Sequence, residues 1–531
     1  MQIKVYESLE IQNEYRTIQQ RPNETIAQTL QREGYSFTLP CGGNGTCGQC
    51  KVLVLEGETA ITEEERRFLS EECLKKGERL MCRSRFLTDG AICLLGKSET
   101  SSDMQIQSIG VGGKGTAIKG SDGTLDCSEA QFGVAVDIGT TTIAMALVEL
   151  QTGRIVASLT KNNSQRQYGA DVISRIKCAN EGRAEELKRL IWKDITDGLE
   201  QLLGDGQQEM SEVLVISANT TMEHLLMGDS CQTLGEAPFL PSDISLRTKN
   251  MGEIAEETPE QYHDMLVTIL PGISAFVGAD IVSGMYDCGM YAAERPILFI
   301  DLGTNGEMVL GTKRGFLATS TAVGPAFEGG NITCGCPGIA GAISSVSMMG
   351  SHMVTHTIAN KKPVGICGTG VLELAFELYK GGVMDEQGKL RPLYLENGYP
   401  VAQMQNGDRI IFTQGDIRQL QMAKSAIRSG IELLMKECNL TAQEINKVYL
   451  AGGFGYKLNV YKAAGIGLIP RELREKTVAA GNTSLQGAVR FLMEKGAALN
   501  MQQMILKTKE MNLAVHPTFE KYYLKYMDFD A

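Results

Sequence analysis

Apolar positions recur along this chain with two different periods, and the change from one to the other divides it. Over the first 95 residues the runs are short. "IKVYES" and "EYRTIQQ" alternate as half-buried strands do and predict a hairpin. "ETIAQTLQREG" has the wider spacing of a helix closed by Gly34, and "CKVLVLEGE" reads as a strand running into a turn. "TEEERRFLSEECLKKGERL" predicts one charged amphipathic helix, and "MCRSRFLTDGAICLL" a return to strand. Residues 96–128 are rich in Gly and Ser without apolar periodicity, the composition of a flexible linker. From "FGVAVDIGTTTIAMALVEL" onward, apolar strands alternate with long helical patterns such as "ADVISRIKCANEGRAEELKRLIWKDITDGLEQLL"; further strands open at "PILFIDLGTNGEMVLG" and "KVYLAGGFG". That alternation predicts an α/β sheet architecture. Two Asp-x-Gly-Thr strand ends, at 137–140 and 301–304, predict an internal duplication in which only the strand-and-turn core repeats. The expected domains are 1–95, the linker 96–128, a middle domain 129–206 carrying the first of these motifs, and 207–531.

Composition narrows the partners. Charged residues make up 21% and hydrophobic residues 43% of the 531, an ordinary globular balance. A formal charge of −12 and the lack of a basic stripe argue against nucleic acid. The start, "MQIKVYESLE", lacks a signal-peptide pattern, and no apolar run reaches the roughly 18 residues of a membrane span. A cytoplasmic location without membrane contact is therefore expected. Disulfides rarely persist there, so most of the fourteen cysteines read as buried thiols. Cys127, Cys178, Cys231, Cys288, Cys334, Cys336, Cys367 and Cys438 fall in that class. His352 and His356 in "SHMVTHTI" have a metal-ligand spacing for a helix, but their β-branched neighbours predict strand or loop.

One cluster needs a different explanation. Cys41, Cys47 and Cys50 lie in "CGGNGTCGQC", and Cys82 follows in "RLMCRSR". Four thiolates so spaced can hold a two-iron cluster, the Cys-x2-Cys pair converging on it while a distant cysteine closes the set. Gly42, Gly43, Gly45 and Gly48 let the loop turn tightly and aim backbone N–H groups at sulfur. Zinc would usually bring paired Cys-x2-Cys units or a nearby histidine, and the nearest is His224. A disulfide knot is the remaining alternative. Cys73, on the charged helix, and Cys93, in an apolar strand, compete with Cys82 for the fourth position and read as structural. The arrangement resembles the plant-type [2Fe–2S] ferredoxin domain, with one extra residue between the first two cysteines.

The strand ends suggest a second chemistry. "VAVDIGTTT" ends in Asp137, Gly139, Thr140, Thr141 and Thr142; "FIDLGTNGE" in Asp301, Gly303, Thr304, Asn305, Gly306 and Glu307. A Gly-rich turn after a strand exposes N–H and hydroxyl donors to phosphate oxygens, and the carboxylate can hold Mg2+ through water or orient an attacking water. No G-x-x-x-x-G-K-[ST] loop is present. With "LAGGFG" at 450–455, the set resembles the acetate kinase, sugar kinase, Hsp70 and actin superfamily, in which two ribonuclease-H-like halves close over ATP. The resemblance implies that Asp137, Asp301 and Glu307 are catalytic, that the two turns bind phosphate, and that Gly452 and Gly453 border the adenosine.

A ferredoxin-like (β-grasp) domain of α+β type joined to a duplicated ATPase core resembles the reductive activators of corrinoid-dependent enzymes. "NSQRQYGADVISRI" (163–176), "SANTTMEHLLMG" (217–228), "PGISAFVGADI" (271–281), "AFEGGNITCG" (326–335), "GICGTGVLEL" (365–374), "QGDIRQLQMAKSAI" (414–427) and "IGLIP" (466–470) extend the match, while "CGCPG" (334–338) departs from it. The resemblance implies a [2Fe–2S] cluster on Cys41, Cys47, Cys50 and Cys82, with ATP and Mg2+ in the core. It implies a corrinoid protein and a low-potential electron-donor protein as partners; a homodimer is entertained as well, although the sequence is silent on oligomeric state. The implied reaction is one-electron reduction of Co(II) to Co(I). Plant-type clusters sit near about −400 mV, and moving an electron uphill by about 100 mV costs roughly 2.3 kcal/mol, which ATP would offset. An electron injector for a radical dehydratase and a redox-sensing binding protein remain as alternatives. A [2Fe–2S] spectrum from a single chain is the expected observation against the injector, which holds its cluster between two subunits.

Overall fold

The computed structural model describes residues 1–6, 15–33, 35, 37, 39, 43, 45, 48, 50–94, 131–204, 211–350, 352–404, 407–455 and 458–529. Gly34, Cys41, Cys47 and the expected linker 96–128 lie outside the described residues.

The N-terminal domain is a mixed sheet of β1 (Gln2–Tyr6), β2 (Arg16–Gln19), β3 (Lys51–Glu56), β4 (Glu78–Leu80) and β5 (Gly90–Leu94), in the order β2-β1-β5-β3-β4. β1 and β2 form the expected hairpin, whereas β1 runs parallel to β5. The Ile26–Arg32 helix starts at Thr25, whose hydroxyl accepts from the Gln28 N–H in a capping box. It packs Ile26 and Leu30 on Ile3, Val52 and Ile92 of the sheet, completing the β-grasp. The single charged helix expected over "TEEERRFLSEECLKK" is instead two, Glu63–Phe68 and Glu71–Lys75. Leu69 is extended between them, and the Ser70 hydroxyl accepts from the Cys73 N–H to start the second.

The remaining chain forms two lobes of one plan. The first sheet holds β6 (Phe132–Ile138), β7 (Thr142–Glu149), β8 (Arg154–Asn162), β9 (Ser211–Ala218), β10 (Arg247–Asn250) and β11 (Leu266–Ile269), ordered β10-β11-β9-β6-β7-β8. β6, β7 and β8 are antiparallel neighbours; β9 pairs parallel to β6 and β11 parallel to β9. The second lobe repeats this with β12 (Ile297–Leu302), β13 (Asn305–Thr312) and β14 (Gly315–Ala322). After an insertion, β20 (Lys447–Ala451), β21 (Thr477–Gly481) and β22 (Thr508–Glu510) complete the order β21-β20-β12-β13-β14-β22. The duplication thus reaches five strands per lobe, further than the strand-and-turn core alone. The expected border between 206 and 207 falls inside the first sheet, because β6 pairs with β9 beyond it.

The insertion comprises a three-stranded sheet of β15 (Ala342–Met349), β16 (His352–Thr357) and β17 (Gly365–Ile366), and a hairpin of β18 (Tyr399–Gln403) and β19 (Arg409–Phe412). His352 and His356 both lie on β16 and are exposed, as the β-branched neighbours predict. Residues four apart on a strand stand roughly 13 Å apart, too far to share a metal ion. No helix among the described residues is long and apolar enough to cross a membrane.

Between the lobes lie the helices Ala279–Asp287 and Thr483–Met493. Val282 and Met285 of one, Leu485 and Val489 of the other, Val215 of β9 and Phe299 of β12 share one core. Thr483–Met493, late in the chain, packs back on β6 and β9 of the first lobe. The crossing is close at Gly487, where an added Cβ would lie 2.3 Å from the Ser283 carbonyl oxygen. Gly487→Ala is accordingly expected to destabilise the two-lobed body by about 1–3 kcal/mol, read as a lower denaturant midpoint.

Candidate active site and iron–sulfur loop

β6 and β12 end in matching turns. In the first, the Gly139 N–H donates to the Thr142 carbonyl at 2.9 Å; in the second, the Gly303 N–H donates to the Asn305 carbonyl at 2.9 Å. The Thr140 hydroxyl accepts from Asn219 Nδ2 at 3.2 Å, and the Thr304 hydroxyl donates to Glu328 Oε1 at 3.1 Å. Parallel pairing of β12 with β20 sets Asp301 beside Ala451, so the following Gly452–Gly455 turn abuts the strand end. Gly452 has φ +89°, and a Cβ there would stand 2.7 Å from Asp301 Oδ1. Gly453 is exposed, with open space where a side chain would be. The Asp137, Asp301 and Gly452 segments therefore border one cleft between the lobes.

Four half-buried carboxylates face that cleft: Asp137, Asp280, Asp301 and Glu307. None has a salt bridge with a Lys or Arg among the described residues. Burial raises Asp301 to about 7, with the Asp137 charge adding to it. Asp280 is pushed to about 8 by burial and then by Asp301 and Asp137. Glu307, opposite Asp301 in the β12–β13 pairing, is raised well above the usual carboxylate range by burial, then by Asp280 and Asp301; a 3.1 Å hydrogen bond from Ser320 partly offsets this. Asp137 is raised by burial, countered by Ser484 Oγ at 2.7 Å and Asn482 Nδ2 at 2.8 Å. Acids that hold one another's protons on in a low-dielectric cleft form a site for a cation. Among the described residues no three His, Cys, Asp or Glu side chains are placed to cage a metal directly. Water-mediated Mg2+, which keeps part of its hydration and shares substrate phosphates, suits such a donor set.

In the N-terminal domain, Cys50 and Cys82 are buried and bring their Sγ atoms to 3.2 Å, beyond the length of about 2.05 Å of a disulfide. Met81 N donates to the Cys50 carbonyl at 2.8 Å, tying the start of β3 to the Cys82 turn. Gly43, Gly45 and Gly48 take positive φ, as a loop wrapping inward requires. Two converging thiols under such a loop fit a two-iron cluster. Cys41 and Cys47 lie outside the described residues. Cys93 is buried in β5, and burial holds its thiol protonated by raising its pKa; Cys73 sits on the Glu71–Lys75 helix.

Sequence reasoning missed Asp280, Asn482, Ser484 and Glu328. Asp280 carried a signal in "VGADI", an acid in the first turn of an apolar helix, where the helix dipole favours negative charge. Asn482 and Ser484 carried none, since they reach Asp137 from 345 and 347 residues away.

The raised acids work against the folded state. Below about pH 4 Asp280 is protonated folded and unfolded and contributes nothing; as pH rises towards 8 the unfolded chain alone releases the proton, and stability falls. Asp280→Asn is therefore expected to raise the melting temperature of the nucleotide-free protein, and more at pH 8 than at pH 5.5, in scanning calorimetry at the two pH values.

Comparison with known proteins matches all three parts. Residues 9–87 fit the family described as "2Fe-2S iron-sulfur cluster binding domain", residues 132–293 "RACo middle region", and residues 295–531 "C-terminal domain of RACo the ASKHA domain". The corrinoid activation enzyme RamQ of Eubacterium limosum is 30% identical over 74% of this chain and 69% of its own. The [Co(II) methylated amine-specific corrinoid protein] reductase of Methanosarcina barkeri is 24% identical over 74% of this chain and 76% of its own. A solved structure, titled "Reductive activator for corrinoid,iron-sulfur protein", superposes with a TM-score of 0.69 at 26% identity, covering 99% of this chain and 98% of that one. With an iron–sulfur domain, a middle region and a two-lobed ATPase-type body in that order, the chain belongs to the family of corrinoid activation enzymes.

Proposed function

We propose that this protein reduces the inactive Co(II) form of a partner corrinoid protein to Co(I) by one electron, at the expense of ATP hydrolysis. The observation that carries the reading is the pairing, on one chain, of a carboxylate-lined cleft between duplicated lobes with converging thiols under a glycine loop. Relatives that align with 74% of this chain are named for corrinoid activation and for reduction of a Co(II) corrinoid protein.

Cys41, Cys47, Cys50 and Cys82 are the residues assigned to hold the [2Fe–2S] cluster, which when bound supplies single-electron transfer at low potential. ATP lies between the lobes. Its phosphates meet the turns Gly139, Thr140, Thr141, Thr142 and Gly303, Thr304, Asn305, Gly306, whose N–H and hydroxyl groups are donors of the right kind. Gly452 leaves room beside Asp301, and Gly453 opens a flat edge for the adenosine. Asp137, Asp301 and Glu307 are the residues that would hold Mg2+, which would neutralise charge on the phosphates. Asp301, at the end of β12, is suited to orient the water that attacks the terminal phosphate. A low-potential donor protein supplies the electron, and the cobalt of the partner receives it.

Reduced protein mixed with a Co(II) corrinoid protein and Mg-ATP is expected to give the Co(I) absorbance band. Omitting ATP, or substituting Asp301→Ala or Cys82→Ser, is expected to slow its appearance by roughly a hundredfold or more. Wild-type rates from the Asp301→Ala protein would contradict the assignment of the cleft.

A further inference from the structure

The stretch "NSQRQYGADVISRI" has no part in holding nucleotide, cluster or cobalt in the assignments above. It nevertheless touches two of the three parts of the molecule. After β8 ends at Asn162, the chain makes a short turn, Ser164–Tyr168, and then the Val172–Cys178 helix. One side of this segment backs the first phosphate turn. Asn163 Nδ2 donates to the Gly139 carbonyl at 2.9 Å, Asn163 N to the Thr141 carbonyl at 3.0 Å, and Arg175 Nη2 to the Thr140 carbonyl. Three successive carbonyls of the turn are thus held from behind, leaving its other side to the cleft.

Arg175 is fully buried. Its other contacts are the Gly169 carbonyl at 3.0 Å, Gln165 Oε1 at 3.3 Å and Met222 Sδ at 3.1 Å, so no carboxylate neutralises it directly. Burial of the guanidinium pulls its pKa down to about 9. A buried cation held only by neutral groups is costly. An anion drawn to the far side of the Thr140 turn would offset that cost, which makes the Arg175 grip responsive to phosphate.

The other side of the same segment meets the iron–sulfur domain. Gln31 Nε2, on the Ile26–Arg32 helix, donates to the Gln167 carbonyl at 3.0 Å. Beside this contact is a gap of about 200 Å3 lined by Ala27, Gln28 and Cys82 from one domain and by Tyr168, Lys177 and Cys178 from the other. Lys177 and Cys178 follow Arg175 by two and three residues on one helix. The junction is polar and incompletely packed, the character of a contact made to be released. While it is made, the Cys82 edge of the iron–sulfur domain faces the protein's own first lobe.

We propose that residues 163–178 couple the cleft to the iron–sulfur domain, with Arg175 as the positioning residue, so that ATP on the Thr140 turn loosens the Gln31–Gln167 contact and frees the Cys82 edge for its redox partners. The proposal rests on ATP binding in the cleft and goes beyond it by naming the path.

Hydrogen exchange on the iron-loaded full chain, with and without a non-hydrolysable ATP analogue, tests it. Isothermal titration on the same samples reports nucleotide binding separately. The expected result is faster exchange in Thr25–Arg32, by at least about fivefold, when the analogue is bound. In Arg175→Gln the analogue still binds and that change disappears; Arg175→Lys, which keeps a donor and a charge, restores part of it. Gln31→Ala, which removes the half-buried amide that reaches across the junction, is expected to show fast exchange with or without nucleotide. The electron paramagnetic resonance line shape of the reduced cluster is expected to respond to the analogue in the wild type but not in Gln31→Ala. Unchanged or slower exchange in Thr25–Arg32 with the analogue bound would overturn the coupling, as would a full response in Arg175→Gln. Absence of nucleotide binding to the wild type would instead overturn the cleft assignment beneath it.

Discussion

Asp137, Asp280, Asp301 and Glu307 arrive in one cleft from three strands and a helix, with no lysine or arginine paired to any of them among the described residues. Burial in a low-dielectric space, and after it their mutual repulsion, raises Asp301 to about 7 and Asp280 to about 8. The surrounding architecture holds this unfavourable grouping together. Ser484 and Asn482 donate to Asp137 from a helix late in the chain, and that helix crosses Ala279–Asp287 at backbone distance through Gly487. The shared apolar core beneath, with Val215 and Phe299 from opposite sheets, supplies the burial that the carboxylates oppose. A cation with attached phosphates relieves the repulsion, so stability and ligand binding act on the same groups.

Much of this was legible in the residues. The strand-and-turn repeats around Asp137 and Asp301 were visible because a duplicated motif survives as local sequence, and each repeat does end a central strand. The cysteine spacing singled out Cys50 and Cys82 as proposed ligands, and their sulfurs lie 3.2 Å apart. Other features were hidden for physical reasons. Asn482 and Ser484 act across lobes, and no local pattern encodes a partner more than three hundred residues away. The charged helix after β3 was read as one because its periodicity is continuous; the hydroxyl of Ser70 offers a competing start that periodicity does not register. The long pattern from residue 171 to 203 likewise contains an interruption at Gly182, whose φ of +93° breaks the helical path between Val172–Cys178 and Ala184–Leu203. The first lobe was cut at residue 206 because its sheet is completed by strands that follow a long helix.

The division of labour between the two ends of the chain follows from what each can do chemically. The lobes can bind and hydrolyse a nucleotide, and they hold no described thiol cluster of the kind that carries electrons. The β-grasp domain offers thiols that converge and buries them, yet it shows no phosphate turn among its described residues. Neither end alone drives an electron to a low-potential acceptor. An ATP-dependent reduction needs the free energy released in the cleft to alter the state of a distant redox site, and coupling of that kind requires an element whose contacts differ between the two states.

The central claim is that ATP makes a single electron pass from this chain to cobalt. It is tested most directly in one turnover. The iron–sulfur protein is reduced, freed of excess reductant, and mixed rapidly with a Co(II) corrinoid protein while the iron–sulfur and cobalt absorbances are followed together. The account predicts that, with Mg-ATP, cluster oxidation and Co(I) formation proceed with the same rate constant and in one-to-one yield, and that neither proceeds appreciably without it. Equal yields of Co(I) with and without ATP would contradict it.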